Sequence, residues 1–103
     1  MAEEKKEERV TEVKRMVKLA DGKDYEVKPL SLLDTKKLLP LITKMDELKD
    51  KGISDELIEC MADVCYEILK RATPELTRDK VLELVELESV YLVVLYGVGK
   101  MLK

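Results

Sequence analysis

The stretch Val90-Tyr91-Leu92-Val93-Val94-Leu95-Tyr96-Gly97-Val98 decides the fold of this chain. It is a nearly unbroken apolar run rich in β-branched and aromatic residues, which propensity alone reads as a buried strand. Three features favour a helix. Glu86 and Glu88 lead into the run without turn residues, Ser89 stands where an N-cap belongs, and the only strands available as neighbours lie in a hairpin far upstream. We therefore expect a helix over about 89–97, ended by Gly97 and Gly99, with Lys100-Met101-Leu102-Lys103 fraying.

Such a helix is apolar on every side and must be surrounded. Two outcomes remain open: central burial, or a surface completed by another chain. For the second, Val90, Tyr91, Val93, Val94, Leu95 and Tyr96 are the candidate partner or self-association surface.

Upstream of this run the pattern is helical. Thr77 caps an expected helix over 77–87, with Asp79 in its first turn and Val81, Leu82, Leu84, Val85 and Leu87 as its apolar face. Arg71-Ala72-Thr73-Pro74 marks a boundary, because the residue before a proline avoids the helical region, and Pro74 to Leu76 reads as a turn. Ser54 caps a helix over 54–71, with Ile53 placed to staple onto Ile58. On a wheel of about 100° per residue, Leu57, Ile58, Cys60, Met61, Val64, Cys65, Ile68 and Leu69 of this helix share an arc of about 200°. An arc that wide predicts a central helix touched on two sides, with Glu59, Asp63, Glu67 and Lys70 on the wet edge. Ser31 and Asp34 open a helix over 32–50 whose apolar positions are Leu38, Leu41, Ile42, Met45 and Leu48. Pro40 interrupts it with either a kink or a break, and Gly52 supplies the stop.

The first part of the chain reads differently. Val13, Arg15, Val17 and Leu19 alternate with Lys14, Met16 and Lys18, and Tyr25 and Val27 alternate with Asp24, Glu26 and Lys28, which is strand periodicity. Asp21-Gly22 between them supplies the positive φ angles of a tight turn, giving a hairpin over about 13–27 that Pro29 ends. Residues 1–11 are nearly all charged and read as a solvated tail, leaving 12–103 as one domain. The expected class is thus mainly α (α+β): an N-terminal β-hairpin followed by a bundle of three to four helices.

Composition narrows function further. The chain has 103 residues, 40% of them charged, and a core that 17 Leu, 11 Val, 4 Ile and 5 Met must fill without Phe or Trp. It has no His, which removes the commonest general base and neutral metal ligand, and two Cys with carboxylates match no usual zinc set. Cys60 and Cys65 lie about 140° apart on one helix and read as small buried hydrophobes. Adjacent acids such as Asp55-Glu56 read as solvated surface, and neither Asp21-Gly22-Lys23 nor Gly97-Val98-Gly99 makes a phosphate cradle. We expect no catalysis, no metal and no cofactor. A net charge of −3 with interleaved signs offers no basic stripe for nucleic acid. No apolar run approaches the roughly 20 residues of a membrane span, and the charged start is unlike a signal peptide, so a cytosolic protein is expected.

The order of elements resembles a known family. A charged start, a hairpin ending in Val27-Lys28-Pro29-Leu30-Ser31-Leu32, a Leu-rich helix, the stretch Arg71-Ala72-Thr73-Pro74-Glu75-Leu76-Thr77-Arg78-Asp79-Lys80-Val81 and a closing apolar helix resemble the tail assembly chaperones of long-tailed, siphovirus-like bacteriophages. The resemblance covers about 13–103 and rests on the Pro-Leu-Ser and Thr-Pro-x-Leu-Thr stretches, both of which are also ordinary capping signals. It implies a non-catalytic protein of the host cell cytoplasm, absent from the mature virion. Its implied partners are the tape measure protein and the tail tube protein, and it implies a homo-oligomer. The alternative reading is a structural virion component, such as a head-to-tail connector or tail terminator subunit, or a small helical adaptor.

Overall fold

The computed structural model describes residues 15–98, and within them a two-stranded hairpin precedes four helices. The charged segment 1–11, Val13, Gly99 and the segment 100–103 lie outside the described residues. Strands β1 (Met16–Lys18) and β2 (Asp24–Glu26) pair antiparallel, with Val17 opposite Tyr25. Helices α1 (Leu32–Lys49), α2 (Asp55–Leu69), α3 (Arg78–Leu84) and α4 (Leu87–Val98) follow. The protein is mainly helical, and the deciding stretch is helix.

The hairpin alternates as expected: Val17, Leu19 and Val27 are buried while Lys18 and Lys28 are exposed. Its turn differs from the expected one. Only Gly22 has positive φ (82°), while the Gly22 N–H closes on the Leu19 carbonyl (2.9 Å) and the Leu19 N–H on the Lys23 carbonyl (3.1 Å). The loop therefore has three residues, a turn followed by a left-handed glycine. Asp21 keeps an ordinary backbone because its carboxylate is engaged instead. It accepts from the Lys23 N–H (3.0 Å) and the Tyr25 hydroxyl (2.7 Å), and these bonds, the tyrosine's first, lower its pKa.

Caps fix the starts of three helices. The Ser31, Ser54 and Thr77 side chains accept from the backbone N–H groups of Asp34 (3.1 Å), Leu57 (3.1 Å) and Lys80 (3.2 Å). Pro40 does not break α1, which runs through it. The carbonyl that loses its donor belongs to Lys36, and both residues are exposed, so water can satisfy it. Gly52 ends the α1 connection at φ 96°.

Helix α2 is central. It packs against α1, α3 and α4, and its buried residues are Leu57, Cys60, Met61, Ala62, Val64, Cys65, Ile68 and Leu69. Ile58 departs from the expected arc at 40% exposed, and with Ile53 at 67% the anticipated staple buries neither residue. Arg78 locks α3 onto the wet edge of α2. Its guanidinium donates to Asp63 Oδ1 (2.6 Å), Glu59 Oε1 (2.6 Å) and the Glu59 carbonyl (3.1 Å).

Two boundaries near the C-terminal end were misread from sequence. Helix α3 stops at Leu84, because Val85 turns extended (ψ 123°) and lets the chain double back across α2. Helix α4 then begins at Leu87, with the Glu86 carbonyl accepting from the Ser89 (2.8 Å) and Val90 (3.2 Å) N–H groups. Ser89 is consequently not a cap but a buried residue inside the helix. Gly97 is likewise not a stop. It lies buried within α4, where an added Cβ would stand 3.0 Å from Ile68 Cγ2.

Candidate partner-binding surface

Helix α4 is apolar all round, yet it is covered on one side only. Helix α2 and strand β1 pack against it there, burying Ser89, Val90, Val93 and Gly97. The hairpin and the segment that leaves it also close its C-terminal end: the Leu30 N–H donates to the Gly97 carbonyl (2.8 Å) and Arg15 to the Tyr96 carbonyl (3.3 Å). On the opposite side Tyr91 is 62%, Leu92 41% and Leu95 37% exposed.

The six residues expected to form one surface therefore divide. Val90 and Val93 belong to the core, Val94 and Tyr96 are half-buried against it, and Tyr91 and Leu95 face outward. A contiguous apolar run assigns no direction to a residue, and the side that α2 takes is set by tertiary packing. Tyr91, Val94 and Leu95 line a furrow of about 230 Å³ between α1 and α4, floored by Met61 and Val90. Leu39 and Ile42 form the facing wall. A second hollow of about 190 Å³, bounded by Ile58, Leu82 and Leu87, adjoins the N-terminal end of α4 and shares Met61 and Val90 with the first. Both hollows border the same helix.

Sequence reasoning missed Leu39 and Leu82 as walls of these hollows, and Leu92 as an exposed residue of α4 outside them. For Leu39 a signal existed: although three residues before Ile42, it stands about 100° around the helix from Leu38, and an apolar residue at the edge of a buried face is exposed. Leu82 was read as part of a core face, but α3 has only seven residues and buries Val81 alone.

The titratable groups lining the furrow are Asp46, Lys49 and Tyr91, with the Lys49 ammonium 5.3 Å from the Tyr91 ring centroid, a cation–π contact at the rim. Cys60 and Cys65 are buried; burial pushes the Cys65 thiol up to about 12 and raises Cys60 as well. Neither is a ready nucleophile. The Glu59–Asp63–Arg78 cluster is internally paired, with the guanidinium's own pKa raised by the two carboxylates. No group of His, Cys, Asp and Glu that could hold a metal ion occurs among the described residues. What the surface offers is apolar contact, suited to the apolar stripe of a helix laid into the furrow.

No family model, no curated protein and no solved structure matches this chain. No helix among the described residues is long and apolar enough to cross a membrane.

Proposed function

We propose that the protein is a tail assembly chaperone of a long-tailed bacteriophage. In this reading it acts in the host cytoplasm without catalysis, binding the tape measure protein and helping to recruit tail tube subunits around it. One observation carries the reading: an open apolar furrow between α1 and α4, walled by Leu39, Tyr91 and Leu95, on a chain whose charged residues make up 40% of the sequence. A tape measure protein is a long helical chain that exposes apolar stripes before the tube encloses it. Coating those stripes requires apolar helix surface on one side of the chaperone and charge on the other, which keeps the assembly soluble. The resemblance in the Pro-Leu-Ser and Thr-Pro-x-Leu-Thr stretches supports the same assignment.

The test is co-expression with the tape measure protein encoded nearby. The parent chain is expected to move that protein from the pellet to the supernatant and to co-purify with it, whereas Tyr91→Asp/Leu95→Asp is expected to do neither. A tape measure protein that is equally insoluble with and without the parent chain refutes the reading. Mass spectrometry of purified particles adds a second check, because a stoichiometric amount of this chain in the virion would favour a structural component instead.

A further inference from the structure

We propose that the smaller hollow, between α2, α3 and the start of α4, is a docking site for a basic partner segment, with one large apolar side chain entering the hollow and flanking Lys or Arg residues meeting an acidic rim. Its mouth is separate from the walls of the furrow, and the proposal does not rest on the tail-assembly reading. Size and charge carry it.

The hollow measures about 190 Å³ and its mouth is apolar, with Leu87 48%, Ile58 40% and Leu82 39% exposed. Sites for small molecules occupy roughly 300–1,000 Å³, so this one is sized for a single anchoring side chain of a larger partner. Three elements build it where their ends converge: Ile58 comes from the beginning of α2, Leu82 from the end of α3 and Leu87 from the start of α4. Met61, Val81 and Val90 behind them are buried, so the receptor is already formed in the free chain.

The rim is acidic. Asp55 and Asp79 stand one helical turn before Ile58 and Leu82, Glu86 and Glu88 flank Leu87, and all four are exposed. None of the four forms an ion pair with another described residue. The cations of α3 are already engaged, Lys80 by Glu83 (3.6 Å) and Arg78 by Glu59 and Asp63 (2.6 Å each), and the Arg78 cluster still holds two carboxylates against one guanidinium. Helix starts offset part of the charge, since Asp55, Asp79 and Glu88 each lie in a first turn. A helix start carries only about half a positive charge against a full negative one, so the field outside remains negative. An anionic partner is repelled from this mouth and a neutral one gains nothing from it, whereas Lys or Arg on both sides of the anchor complements it.

Two-dimensional NMR spectra of the isotope-labelled full-length chain test this with three short synthetic peptides: one Phe between two Lys pairs, the same Phe between two Glu pairs, and the Lys peptide with Ser in place of Phe. At about 1 mM the first peptide is expected to shift the Ile58, Leu82 and Leu87 amides, with a dissociation constant that rises about fivefold between about 50 mM and about 500 mM NaCl. The Glu and Ser peptides are expected to leave these amides in place. Asp79→Lys/Glu86→Lys, at two exposed positions, is expected to weaken binding by about tenfold or more with an unchanged circular dichroism spectrum. Equal shifts from the Lys and Glu peptides, or a charge variant that binds like the parent, overturn the acidic rim as the selector. Shifts confined to Tyr91 and Leu95 place binding in the furrow, and shifts of the three mouth amides on concentrating the protein alone assign the hollow to a second copy. Either result, or no shift with any peptide, overturns the proposal.

Discussion

At the scale of single residues, Gly97 carries a packing role that its position near the end of the chain disguised. A Cβ there would meet Ile68 side-chain atoms at 3.0, 3.2 and 3.4 Å, and Ile68 is fully buried, so it must shift within the core to make room. Overpacking costs about 1–3 kcal/mol, while alanine gains roughly 1 kcal/mol over glycine inside a helix. Gly97→Ala should therefore destabilise by about 1 kcal/mol and Gly97→Val by more, as read from urea melts. A stabilised Gly97→Ala would mean that α4 does not lie this close to α2. Cys65 provides a pH signature. Its thiol titrates at about 12 when folded and near 9.0 otherwise, so the folded pKa is raised. The associated stability is complete below about pH 9 and is lost as pH rises toward 12. At pH 10 the loss should be on the order of 1 kcal/mol relative to pH 8. Cys65→Ala should lack this increment, and comparing the two proteins at both pH values cancels the lysine titrations they share.

At the scale of elements, most starts were legible because a start is a local event. Ser31, Ser54 and Thr77 each need only reach an N–H three residues on, and all three do. The wide arc of α2 foretold its central place for the same reason, since the spacing of Leu57, Met61, Val64 and Ile68 belongs to one helix. What sequence did not carry was decided between elements. Val85 leaves the helix so that α4 can recross α2, and nothing in Leu84-Val85-Glu86-Leu87 marks that turn. The side of α4 left uncovered was hidden in the same way, because Tyr91 and Val93 look alike in an apolar run and differ only in what packs on them. Helix α1 yields a prediction at this level. It continues through Pro40 at an exposed position, so Pro40→Ala restores a donor to the Lys36 carbonyl and removes a ring clash. A gain of about 1–3 kcal/mol is expected, visible as a higher melting temperature. Unchanged stability would mean that the helix already absorbs the proline by bending.

At the scale of the whole molecule, the hairpin is the element whose reach was least visible. Two strands of three residues are marginal alone. Here the hairpin and the segment that leaves it bury Val17, Leu19 and Val27 and supply donors to two helix ends, from the turn's Ala20 N–H to the Leu84 carbonyl (3.0 Å) and from the Leu30 N–H, beyond Pro29, to the Gly97 carbonyl (2.8 Å). Helix C-termini leave carbonyls without partners, and a buried one is costly. The hairpin therefore completes α3 and α4, and these helices give it the core that it cannot form by itself. Mutual dependence of this kind predicts one cooperative unit. The Ala20 and Leu30 amides, though outside helix and strand, should exchange hydrogen as slowly as those of α4. Val27→Ala should lower stability by about 2 kcal/mol and speed exchange at Ala20, Leu30 and Val93 by the same factor. If Val27→Ala frees the hairpin amides while Val93 keeps its protection, the hairpin opens on its own. The C-terminal carbonyls of α4 must then be satisfied by water.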